Sequence, residues 1–270
     1  MKGLLRKIFL EVRWPVFFFS LGLAVVMGLL TALLPRVLGE AHRMFASLPF
    51  IRPVITALLG MDPGNRFSAE MMQAFLWVHP SILTLIWAHE LMYCSRMPAA
   101  EIDRGTADFL LALPVTRWKL YLSETIGWLI SGGVIMAFGV AGYLLASSSL
   151  QPEMRPASAT TLGILTNLAG VYVAVGGVSF LVSACSDRRG RAIGILFALL
   201  LASFLLNFLA QFWPPAKSVA FLSVMEHYRP AIIIQSGQFP LKDVVTLLTV
   251  ALISWTIGGV IFRRRSICTV

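Results

Sequence analysis

Apolar residues in this chain run in long, nearly unbroken blocks, without the three-to-four-residue spacing of a half-buried helix. Six blocks are long enough to cross a membrane: residues 14–34, 75–94, 120–145, 162–184, 192–212 and 244–262. A hydrocarbon core about 30 Å thick takes roughly 20 apolar residues in a helix. Helices suit lipid because each one satisfies its own backbone hydrogen bonds. The blocks do not alternate residue by residue as the strands of a lipid-facing barrel do. The pattern predicts an all-α membrane protein of six transmembrane helices, one domain spanning residues 1–270.

The stretches outside the blocks are patterned too. In residues 1–13 the apolar positions Leu4, Leu5, Ile8, Phe9 and Val12 share a face, with Lys2, Arg6 and Lys7 largely opposite. That is the pattern of an interfacial helix lying in the headgroup plane. The run that follows is longer than a signal-peptide core, and Leu33-Leu34-Pro35-Arg36 replaces a small-residue cleavage site, so residues 14–34 read as a retained first span. Two further segments, residues 35–74 and 213–243, mix prolines with short apolar pieces. Pieces of about 10–14 residues are re-entrant or interfacial rather than spanning, and both segments are expected to cover the outer mouth of the bundle.

Charge orients the bundle. Lys2, Arg6, Lys7, Arg13, Arg96, Arg104, Arg117, Lys119, Arg188, Arg189, Arg191, Arg263, Arg264 and Arg265 fall on one side of a six-span layout, fourteen of the 22 basic residues. Basic loops stay in the cytoplasm, so both termini are expected there, in a bacterial inner membrane. The composition agrees: 57% hydrophobic, 13% charged, mean hydropathy +0.80, far from a soluble domain. The net charge of +9 is explained by topology and anionic lipid, with no nucleic-acid partner. Cys94, Cys185 and Cys268 all fall at cytoplasmic ends, in keeping with reduced thiols.

Between the second and third blocks runs EIDRGTADFLLALPVTRWKL. Gly105 breaks the chain, Thr106 is placed to cap a new helix, and Asp108 sits in its first turn where the helix dipole favours an anion. Leu110, Leu111 and Leu113 supply an apolar face before Pro114 ends the element. This segment resembles the hallmark of type-2 ATP-binding-cassette exporter permeases, with Glu101, Gly105, Thr106, Leu110, Leu111, Leu113, Pro114, Val115 and Arg117 at the matching positions. SACSDRRGRAIGI resembles that family's turn between its fourth and fifth spans, and VMEHYRPAIIIQSGQ with FRRRSI resembles its end. The chain departs from the family at Glu124, where lysine is frequent, and at Ser266, where an acidic residue is frequent.

The resemblance implies a permease subunit of an exporter, not an enzyme. Residues 101–113 would form a coupling helix seated in a cleft of a separate ATP-binding subunit. Glu101, Asp103, Arg104 and Asp108 would make its polar contacts, Gly105 and Thr106 its turn, and Phe109 and Leu110 the wedge. ATP and Mg would be bound by that partner, and no cofactor by this chain. A second permease chain, identical or related, completes the transporter. Gly190, Gly194, Ala198 and Ala202 recur every four residues and allow close helix approach, either within the chain or as the dimer interface.

The remaining candidates are weaker. Glu90 lies near a span end and is expected to pair with Arg96, the other reading being a substrate or ion site, since intramembrane carboxylates mark pathways. Glu124 is expected to pair with Lys119 or Arg117. HELMY lacks the second histidine of a zinc-protease helix. His42, Met44, Met61, Met71, Met72 and His79 offer soft ligands for copper(I), but without a compact motif, and no metal site is assigned. A P-loop and a Gly-x-Ser-x-Gly elbow are both absent from the sequence. A secondary transporter and a metal-handling or maturation factor remain as alternatives; the former predicts ion-coupling carboxylates and inverted repeats. The transported substrate has no signature.

Overall fold

Pro80 divides what hydropathy alone reads as one block. Its ring and missing N–H disfavour a helix interior, and the residue before it is pushed toward extended backbone; His79 accordingly has ψ 130° and accepts the Ser81 amide on its side chain. The result is two helices, α2 (Ala69–Trp77) and α3 (Pro80–Cys94), where one span of 75–94 is predicted. The computed structural model describes residues 2–47, 56, 59, 69–112, 114–155 and 157–266. Among these residues there is no strand.

The first helix, α1 (Lys2–Ser47), corrects two sequence expectations. The predicted interfacial helix and first span are continuous, because Ile8 and Val12 bury against the bundle and hold residues 2–13 in line. Pro35 lies inside the helix and does not end it, as does Pro15. Of the predicted outer segment 35–74, residues 48–68 lie outside the described residues except 56 and 59; Leu59 is buried.

Next come α4 (Ala107–Leu111), α5 (Arg117–Ser147), α6 (Ser158–Cys185), α7 (Arg189–Ala210), α8 (Pro214–Ser218), α9 (Pro230–Ser236) and α10 (Leu241–Arg264). Five of the described helices are long and apolar enough to cross a membrane: residues Lys2–Arg36 of α1, then α5, α6, α7 and α10. Apart from the start of α1, their ends fall within a few residues of the predicted blocks.

Two helix pairs dominate the packing, α1 with α5 and α6 with α10, and α3 is wedged between them against α6, α1 and α5. Glycine permits both close approaches. A Cβ on Gly142 would run into the Ala24 backbone, and one on Gly177 would meet the Ala251 carbonyl at 2.6 Å. The core between the pairs is aromatic: Trp128 stacks on Tyr172 at 5.0 Å, and Tyr121 meets Phe180 edge-on at 5.4 Å.

Side-chain contacts gather the predicted basic segments at one end, here termed proximal. Arg265 donates to Ala184, Ser186 and Asp187, while Arg117 donates to the carbonyls of Phe262 and Arg265. At the opposite, distal end, residues 213–243 fold as short helices and turns, as their proline spacing predicts. They are pinned by Tyr228 to the Trp77 carbonyl (3.0 Å) and by Asn167 to the His227 carbonyl (2.9 Å).

Candidate functional site

The proximal end carries the segment 95–117, built from a sequence of small turns. After Ser95 the chain widens through Arg96–Ala100, with Met97 extended at φ −133°, ψ 132°. Ser183 of α6 clasps this bend, donating to the Met97 carbonyl at 3.1 Å and accepting the Ala99 amide at 3.4 Å. Glu101–Asp103 adds a single helical turn. Gly105 then takes φ +68°, a left-handed conformation that costs other residues about 1 kcal/mol or more. Thr116, its hydroxyl accepting the Lys119 amide at 3.3 Å, starts α5.

The candidate coupling residues divide into two groups. Glu101, Asp103 and Thr106 brace the segment. Thr106 donates its hydroxyl to the Glu101 carboxylate, a charge-assisted bond that closes the turn. Asp103 accepts the backbone amide of Arg189 at 3.3 Å and thereby holds the first turn of α7. Arg104, Asp108 and Phe109 form the second group and face outward, Phe109 with 78% of its surface exposed. The side chain of Leu110 lies outside the described residues.

Arg189 is a residue the sequence reading did not single out for this site. Its guanidinium donates to the Met92 carbonyl (3.1 Å) and the Ser95 hydroxyl (3.2 Å), while its amide reaches Asp103. One residue thus joins the end of α3, the 101–106 turn and the start of α7. Its partners stand more than 80 positions away, so spacing offers no signal for it. Ser183, clasping the Arg96–Ala100 bend from α6, escapes sequence reading for the same reason.

The small-residue stripe on α7 faces away from the bundle: Gly190, Gly194, Ala198 and Ala202 are all exposed. A Cβ on Gly190 or Gly194 would meet nothing within 4 Å. Around them Ile195, Phe197, Leu201 and Leu205 are also uncovered. Between α5, α6 and α10 lies an apolar cavity of ≈ 360 Å³ bordered by Trp128, Val173, Leu248, Leu252 and Trp255.

Both expected carboxylate pairs are replaced. Arg96 pairs with Glu11, which also meets Lys7 at 3.6 Å, and its guanidinium lies 5.3 Å from the Tyr93 ring centre. Glu90 is one turn and a half deeper and is fully buried. Arg117 is turned to the carbonyls of α10, and Lys119, five positions before Glu124, lies about 140° around the helix from it. Glu124 instead faces the Arg96–Tyr93 corner. Among the described residues no group of three His, Cys, Asp or Glu side chains could hold a metal. His79 serves as the cap of α3. The side chains of His42, Met44, Met61, Met71 and Met72 lie outside the described residues.

A family model described as ABC-2 family transporter protein matches residues 85–267. The matched portion begins within α3 and takes in the 95–117 segment, α7 and α10. No curated protein and no solved structure matches the chain.

Proposed function

Because this chain belongs to the ABC-2 family of transporter proteins, and is therefore a membrane-spanning transport subunit, we propose that it is the permease of an ATP-driven exporter. A separate ATP-binding subunit, carrying ATP and Mg, docks on residues 101–110 at the cytoplasmic side. Two permease chains meet along Gly190, Gly194, Ala198 and Ala202, and the pathway forms between them. Both termini are cytoplasmic, and in a bacterium the membrane is the inner one.

The observation that carries this reading is the exposed Phe109 on a segment anchored from behind. An aromatic ring left 78% exposed on a polar, braced segment is suited to burial by a protein partner, since aromatic residues are frequent interface anchors. Its base is braced by Glu101–Thr106 and tied through Asp103 to α7. Closure of the ATP-binding subunits would push Phe109, and the push would pass through Asp103 and Arg189 into α7 and so into the dimer seam.

The test is a mild-detergent pull-down of the tagged chain, read by mass spectrometry and ATPase activity. A soluble ATPase is expected to co-purify with the wild type and to be lost from Phe109→Ala, whose exposed side chain contributes little to the fold. Loss from Glu101→Ala is also expected, through the unbraced turn. A chain that purifies intact and repeatedly without an ATPase, or a Phe109→Ala variant that retains one, overturns the docking assignment.

A further inference from the structure

Deep in the proximal half, α3, α5 and α6 bring together buried polar atoms that neither docking nor dimerisation uses. Glu90 is fully buried, and neither of its carboxylate oxygens has a side-chain partner among the described residues; the polar group nearest it is the Gly176 backbone amide. The Trp128 indole nitrogen and the Ser179 hydroxyl, on side chains that are 2% and 0% exposed, are likewise unpartnered, and the buried Tyr93 hydroxyl has only Glu124 within reach. Glu90 and the Trp128 ring both come up against Gly176 of α6. Tyr93 lies one turn nearer the proximal face than Glu90, its hydroxyl toward Gly127 of α5 and near Glu124. One Glu124 oxygen is likewise unpartnered. Orphaned buried polar atoms are rare in native structures and cluster where a small ligand or internal water completes them.

The charges around Glu90 can be counted element by element. On α3 stand His89, Tyr93 and Cys94; on the bend after it, Arg96; on α1, Lys7 and Glu11; on α5, Tyr121 and Glu124; on α6, Tyr172; and on α7, Arg189. Arg96 is taken by Glu11, Arg189 by Met92, Ser95 and Asp103, and the ring nitrogens of His89 face the hydroxyls of Ser131 (3.2 Å) and Tyr172 (3.4 Å). None of these cations is paired with Glu90. A buried carboxylate with no counter-charge is strongly disfavoured in a membrane, so its balance must come from a cation supplied from outside the chain. The indole N–H of Trp128 can only donate; it suits a carboxyl group and repels a metal ion.

From this geometry we infer that Glu90 is an intramembrane proton-binding site, loaded from the proximal face by way of Glu124 and Tyr93. The polar row ends one turn further in, at His89, Ser131 and Tyr172. Beyond it Ile82, Ile86, Ile135 and Leu168 close the bundle with buried apolar side chains. The site therefore opens to one side only, and release on the other requires the helices to shift. The transporter would carry a proton-dependent step in addition to any step driven by ATP.

The site belongs to the chain itself, so its test needs no ATPase and stands apart from the docking experiment. Infrared difference spectra are recorded on the chain in lipid membranes, exchanging acid for alkaline buffer in sodium-free medium. A carboxyl C=O band of an acid in an apolar setting is expected in the wild type. It is expected to vanish in Glu90→Gln, to persist in Glu124→Gln, and to appear several-fold more slowly after a pH jump in Tyr93→Phe, which keeps the ring and its packing. A spectrum unchanged by Glu90→Gln, or unchanged kinetics in a folded Tyr93→Phe, overturns the site or its route. A Glu90 band that responds to added sodium at constant pH would assign the site to an alkali cation instead and overturn the proton reading.

Discussion

Gly105 and Gly142 occupy positions closed to larger residues for opposite reasons, one conformational and one steric. At Gly105 there is open space around the missing Cβ, and the constraint is the left-handed φ of +68°. Gly105→Ala should raise the energy of the turn by about 1 kcal/mol, and Gly105→Asn by less, because asparagine tolerates that region. If the turn presents Phe109, affinity for the ATP-binding subunit should fall roughly fivefold in Gly105→Ala, measurable by titrating the purified subunits. At Gly142 the backbone angle is ordinary and the neighbour is the Ala24 backbone. Gly142→Val should destabilise the α1–α5 pair by about 1–3 kcal/mol, the range for overpacking, and lower the thermal midpoint in detergent.

At the scale of elements, α7 stands out because so little of it is covered by its own chain: within its spanning window only 11% is buried, against 67% for α6. A helix apolar all round either faces lipid or awaits a partner, and its small residues favour the partner. Gly194→Leu is therefore expected to leave the monomer's thermal midpoint unchanged and to abolish disulfide cross-linking of an Ala198→Cys variant with its twin. Unchanged cross-linking would move the seam to another face. The start of α7 depends on Asp103, which accepts its first amide. Asp103→Ala removes that acceptor at about 1 kcal/mol, as for other lost helix caps. Amide exchange at residues 189–192 should then accelerate roughly fivefold. Which element would be broken was legible in part: Pro80 announces the gap between α2 and α3, yet hydropathy averaged over the block conceals it. The apolar run predicts a span from residue 192, and the helix starts three residues earlier at Arg189, where its tie to Asp103, across 86 positions, leaves no mark in the sequence.

At the scale of the whole molecule, the helical class and the gathering of basic segments at one end were legible because lipid imposes both on the sequence. Unbroken apolar blocks and asymmetric arginines are one-dimensional signals. The 95–117 segment was legible as a family motif, through Gly105 and the leucines after Thr106, while the division of its residues into braces and outward-facing groups was not. Glu101 and Asp103 read as contact residues in the sequence, and the structure adds a bracing role that spacing does not announce, because their partners, Thr106 and the Arg189 amide, are set by folding. Glu90 was misread for a similar reason: sequence proximity suggested Arg96, but Glu11 on α1 reaches that cation first.

The continuity of α1 through Pro35 has a mechanical consequence. Its 46 residues make a rod about 69 Å long at about 1.5 Å per residue, against a hydrocarbon layer of about 30 Å. With residues 14–34 in that layer, the far tip stands roughly 35 Å from the bilayer midplane. A tilt of about 10°, well within what single-pass helices adopt, would sweep the tip sideways by about 6 Å. The base of the same rod is joined through Glu11 to Arg96, at the very start of the 95–117 segment. Motion of the 95–117 segment would thus arrive on the opposite side of the membrane magnified, as the stroke of a lever whose fulcrum is the bilayer.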